Sequence, residues 1–158
     1  MNTTRLTYKT SVSFRRLRML IVSLFALVFF NSCGSLIATY DHYAYTQTID
    51  IKVEVLHLME QAGEPFISHR DEVETLQMKI EKAYEYEKGR PKNEITVAMW
   101  EKFTSPDRFL FGGFIKRWKE KETLPPVFIS ESKKTVGTAI DQIIGLESGK
   151  IKKTELKN

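Results

Sequence analysis

The chain has 158 residues, of which 42% are hydrophobic, with five prolines and one cysteine; that excludes a disordered chain, a collagen-like repeat and a disulfide-stapled scaffold, and leaves one modest domain. The formal net charge is +4, but Arg5, Lys9, Arg15, Arg16 and Arg18 all precede residue 33, where no acidic residue occurs. Taking those five from the 24 basic residues leaves 19 against 20 acidic ones, so the rest of the chain is close to neutral and nothing in its charge favours nucleic acid.

The first element is a leader. A polar, positively charged stretch runs into Leu20 to Phe30, apolar throughout except for Ser23. Eleven or twelve such residues make roughly 18 Å of helix, against roughly 30 Å of bilayer hydrocarbon. The pattern predicts a signal peptide over residues 1–32 and not a membrane span. Arg15-Arg16 departs from a twin-arginine signal in its neighbours Phe14 and Arg18.

The apolar run leads directly into Phe30-Asn31-Ser32-Cys33-Gly34, which resembles the lipobox of bacterial lipoprotein precursors. The only cysteine of the chain stands at the one position where that family needs a thiol. Ser32 fits the pattern; Phe30 and Asn31 stand where the family usually has Leu and a small residue. The resemblance implies that the Cys33 thiol receives a diacylglyceryl group, that the peptide is cut before it, and that the new N-terminus is acylated with a palmitate-like chain. Two or three acyl chains give stable attachment. Gly34 in place of Asp implies sorting to the periplasmic face of the outer membrane in preference to the inner one. An ordinary signal peptide or a signal anchor with an incidental Cys33 is the alternative reading.

Residues 33–39 then form a short tether, at most roughly 25 Å long from Gly34 to Thr39 when extended, which places the folded part near the bilayer. Tyr40, His42, Tyr43 and Tyr45 follow at the point where the chain leaves the headgroups. Rings with a polar tip suit that depth, and they suit a core equally.

From 40 to 149 the spacing of apolar residues predicts one all-α domain, a small bundle of four or five helices without disulfides. Pro65, Pro91, Pro106 and Pro125-Pro126 divide it. Thr48, Ile51, Val55, Leu58 and Ala62 make a helical stripe that Gly63 ends, although Ile49, Ile51, Val53 and Val55 also alternate as a strand would. Phe66, Val73, Leu76, Ile80 and Ala83 predict a second helix reaching Gly89, roughly 36 Å long. Asn93 is placed to cap a third helix carrying Ile95, Met99, Trp100 and Phe103. Ile129, Val136, Ile140, Ile143 and Leu146 predict a last helix from Val127. Residues 150–158 are a Lys-rich solvated tail.

Chemistry is scarce. Glu54 and His57 have the Glu-x-x-His spacing found in di-metal helical bundles, but neither His42 nor His69 follows a Glu at that spacing, so they are weak metal candidates and a partly buried polar His57 is the plainer reading. No Gly-x-Ser-x-Gly, Ser-x-x-Lys or phosphate loop occurs. No cofactor is expected. The compositionally unusual stretch is Phe103 to Trp118, where Phe109, Phe111, Phe114 and Trp118 surround Gly112-Gly113 beside Lys116 and Arg117. It reads either as a plug closing the bundle or as a face that docks an envelope protein or the bilayer. The expected function is therefore a non-enzymatic, membrane-anchored binding or scaffolding module. A metal-dependent enzyme using Glu54 and His57, or a carrier of a small apolar ligand between helices, are the alternatives.

Overall fold

The computed structural model describes residues 38–150 together with Arg18 and Met19. The chain divides into two units, Met1–Ser35 and Leu36–Asn158. The apolar run of the predicted signal peptide, Cys33 and residues 151–158 lie outside the described residues. No helix among the described residues is long and apolar enough to cross a membrane.

The second unit is all-α, as the spacing predicts. Helix α1, His42–Glu60, starts at Asp41, whose carboxylate accepts the Ala44 N–H at 3.0 Å. Its stripe Thr48, Ile51, Val55 and Leu58 is buried, while Val53 of the competing strand pattern is exposed. Thr48 tolerates burial because its hydroxyl donates to the Ala44 carbonyl at 2.8 Å. The helix tightens into a 3-10 turn, Gln61–Gly63.

The second predicted helix is shorter than its apolar spacing suggests. Phe66–His69 winds as a 3-10 turn and α2 spans Arg70–Lys88, 19 residues or roughly 28 Å. Pro65 enters extended, and the Phe66 N–H is committed to the Glu122 carbonyl at 2.8 Å, so the first turn belongs to a tertiary contact. Helix α3 is Glu94–Thr104, α4 is Phe111–Lys121 and α5 is Pro126–Glu147. Asn93 stands at the N-cap position of α3, yet its side chain makes no capping bond; it is buried and turned to Glu87.

Helix α1 packs against α2 and α5, and α3 packs against the same two, giving a four-helix bundle with α4 laid across one end. Val73, Leu76, Ile80, Val136, Ile140 and Ile143 are all in its core. Lys79–Glu54, Lys52–Asp141 and Lys133–Glu60 pair α1 with its two neighbours along the surface; such exposed pairs guide register more than they stabilise. Between α4 and α5 the chain reverses at Glu122, φ 63° and ψ −42°, with the Thr123 N–H donating to the Lys121 carbonyl at 2.7 Å. That is a strained γ-turn. Helix α5 ends in a Schellman motif: Gly149 adopts φ 68°, and its N–H and that of Lys150 bond the Leu146 and Gly145 carbonyls, both at 3.0 Å.

Candidate functional site

The aromatic segment divides sharply. Phe111, Phe114, Ile115 and Trp118 occupy one face of α4, at spacings of three and four, and all are buried. Phe103 stacks on Phe111 with centroids 5.7 Å apart, Phe114 stacks on Phe128 at 6.1 Å, and Phe66 meets Trp118 edge-on at 5.5 Å. The Trp118 indole N–H donates to the Glu64 carbonyl at 3.0 Å, which pays its desolvation. These rings close the end of the bundle. As docking residues, Phe111, Phe114 and Trp118 are corrected: they are core, because the amphipathic face of α4 has nowhere else to bury itself.

Phe109 is different, with 92% of its surface exposed. The reason lies in Gly112 and Gly113. A Cβ at Gly112 would collide with the Thr104 carbonyl, and one at Gly113 with the Arg108 carbonyl. Two glycines in a row let the loop from Ser105 to Leu110 fold tightly onto the first turn of α4, and the loop presents Phe109 outward. On either side of that ring is a depression. One, of about 620 Å³, lies towards α4; the other, about 1250 Å³, is an open trough between α3 and α5.

The cations are distributed in an unexpected way. Lys116 reaches Asp107 at 3.3 Å, and the Arg117 guanidinium lies 4.4 Å from the centroid of Phe128. Both are exposed but turned to their own neighbours. Lys102 and Arg108, which composition does not single out, line the larger trough, and among the described residues neither pairs with a carboxylate.

The opposite end of the bundle holds a buried charge cluster that the sequence reading missed. Glu87 and Glu147, 2% and 3% exposed, both accept from Arg90, Glu87 at 2.6 Å. Arg90 also donates to the Thr39 carbonyl at 2.8 Å and approaches Asp41. Asn93 donates to the Glu87 carbonyl at 3.1 Å and to its carboxylate. Two carboxylates at helix C-termini, where the macrodipole already opposes them, thus share one guanidinium. Burial first, and then the charge of Glu147, pushes the Glu87 carboxyl above its ordinary range. Asp41 is held below its range by the Ala44 N–H and the Tyr86 hydroxyl, at 3.0 and 2.8 Å. Nearby Tyr40 and Tyr43 are exposed.

Glu54 and His57 are both exposed and go separate ways, Glu54 to Lys79 and His57 towards Glu60 at 3.9 Å. His57 is therefore solvated, not partly buried. Among the described residues no three His, Cys, Asp or Glu side chains gather to hold a metal. It is His69 that is largely covered, lying between Glu64 at 2.9 Å and Glu72 at 3.5 Å, with its ring centroid 5.6 Å from that of Trp118. No family model, curated protein sequence or solved structure matches the chain.

Proposed function

We propose that this protein is a lipid-anchored envelope lipoprotein that acts by binding, and that it makes contact through the rim around Phe109. The observation that carries the reading is the near-complete exposure of a phenylalanine between two depressions, on a loop held by two sterically required glycines. Exposed aromatic anchors contribute to association more than to folding. The partner-facing residues are then Phe109 and Arg108, with Lys102 beside them, in place of the buried rings of α4.

Attachment through Cys33, on the periplasmic face of the outer membrane, completes the reading. Tyr40 and Tyr43 stand exposed within ten residues of Cys33, which is where amphipathic rings meet headgroups. The aromatic plug and Phe109 lie at the far end of the bundle from these tyrosines, so an anchored molecule would hold its binding end away from the bilayer.

The test is a photoreactive amino acid at position 109 in intact cells, with position 127 as the control, since Val127 is also exposed but lies outside both depressions. A discrete adduct from position 109 alone is expected. Equal labelling at both positions, or none at 109, would contradict the proposal.

A further inference from the structure

The trough beside Phe109 is shaped by two helices. Its walls run from Glu94 to Phe103 on α3 and from Lys134 to Ile143 on α5, each nine residues apart and so roughly 14 Å long. The floor is apolar, with Ile95, Met99, Phe103 and Ile143, and Phe109 stands at one end. Because Glu147 of α5 meets Arg90 and Asn93 lies just before α3, the two helices run antiparallel. Lys102, Arg108 and Lys134 are therefore gathered at the same end as Phe109, and Glu94 lies at the other. Lys134 is paired with Glu131 at 2.7 Å; Lys102 and Arg108 have no such partner among the described residues.

Size and openness select the occupant. A small apolar ligand is normally enclosed over most of its surface, whereas this trough is only partly enclosed and leaves part of any occupant in water. An amphipathic helix has a side suited to that. Roughly 14 Å of trough accommodates about nine helical residues, enough for anchors at i, i+4 and i+7. Unpaired cations at one end ask for carboxylates on the occupant, since like charges there would be repelled. Met99 in the floor gives an adaptable surface.

We propose that this trough binds an acidic amphipathic helix of a partner protein, with its apolar stripe on α3 and α5 and its carboxylates at Lys102 and Arg108. The proposal rests on the binding reading above and specifies the partner's chemistry.

The experiment uses the full chain in zwitterionic phosphatidylcholine nanodiscs and a labelled 14-residue model helix with Leu at i, i+4, i+7 and i+11 and Glu beside them. Its twin carries Lys for each Glu. Fluorescence anisotropy should show the acidic peptide binding at least about tenfold tighter, with the preference shrinking in 0.5 M salt as exposed charges are screened. Lys102→Glu with Arg108→Glu should abolish or invert the preference, and Phe109→Ala should weaken the acidic peptide by about tenfold. These side chains are exposed, so unchanged helical circular dichroism is expected to accompany the loss.

Equal affinity for the two peptides, or an acidic preference that survives the double charge reversal, overturns the proposal. So does saturable binding of dodecanoate that excludes both peptides, which would make the trough a lipid site. If the peptides fail while position 109 still cross-links to a discrete partner in cells, the partner chemistry is wrong and the binding reading stands. Failure of both removes the reading itself.

Discussion

Glu87 and Glu147 occupy positions that the helical spacing reserves for apolar side chains. In α2 the buried residues are Val73, Leu76, Ile80, Ala83 and Glu87; in α5 Val136, Ile140 and Ile143 lead to Glu147. Each glutamate is the next step of its seam, and Asp41 precedes Ala44, Thr48 and Ile51 of α1 by the same rule. The spacing carries that signal, although the sequence reading passed over it. Their common partner was not legible, because Arg90 sits in a loop whose path only the packed helices decide. Removing it leaves two buried carboxylates unpaired, so Arg90→Ala should cost about 3 to 5 kcal/mol near neutral pH. The pH dependence has a definite sign. Glu87, raised above its ordinary 4.5, binds its proton more tightly when folded, so stability falls as pH rises from 4.5 through the raised value. Asp41, lowered below 3.8, contributes stability that is present above that value and is lost as pH falls through the lowered one. Urea denaturation across pH should show Glu87→Gln flattening the first slope and leaving the second; an unchanged upper slope would mean that Glu87 is not the group that titrates there.

At the scale of elements, long amphipathic stretches were readable and their ends were not. The stripes of α1, α2 and α5 are buried where the spacing places them, since a helix in a bundle must cover one face. The start of α2 was misplaced by four residues because Phe66 is apolar for a tertiary reason, filling the space beside Trp118. Asn93 was expected to cap α3, and its side chain is instead drawn into the charge cluster, where a buried carboxylate is the stronger acceptor. The γ-turn at Glu122 leaves no trace in composition, as a glutamate with φ 63° is unusual. That strain gives a prediction of opposite sign to most substitutions. Glu122→Gly removes the Cβ penalty and should stabilise the domain by about 1 kcal/mol, net of the added flexibility of the unfolded chain. A lower melting temperature in that variant would show that the turn is not strained, or that the Glu122 side chain holds it.

For the whole molecule, the spacing of apolar residues identified the fold class, and the 23 buried apolar residues among those described are packed between helices as such spacing requires. It could not separate plug from surface, since Phe109 and Phe111 are two residues apart with the same side chain. The separation comes from the pair Gly112-Gly113, which the sequence shows only as two adjacent glycines and the structure uses as a place where backbone meets backbone. The proposed anchor makes an independent prediction: intact mass from the membrane fraction should show a protein lacking residues 1–32 and carrying acyl mass on Cys33, and an unmodified thiol would contradict it. One aromatic stretch supplies both a core and an exposed ring, and thermal denaturation of Trp118→Ala beside Phe109→Ala separates the two. Trp118→Ala should lose about 3 to 5 kcal/mol, because the buried indole leaves a cavity and an unanswered Glu64 carbonyl, while Phe109→Ala should stay within about 0.5 kcal/mol of the parent. Comparable losses in the two variants would place Phe109 in the core and contradict that division.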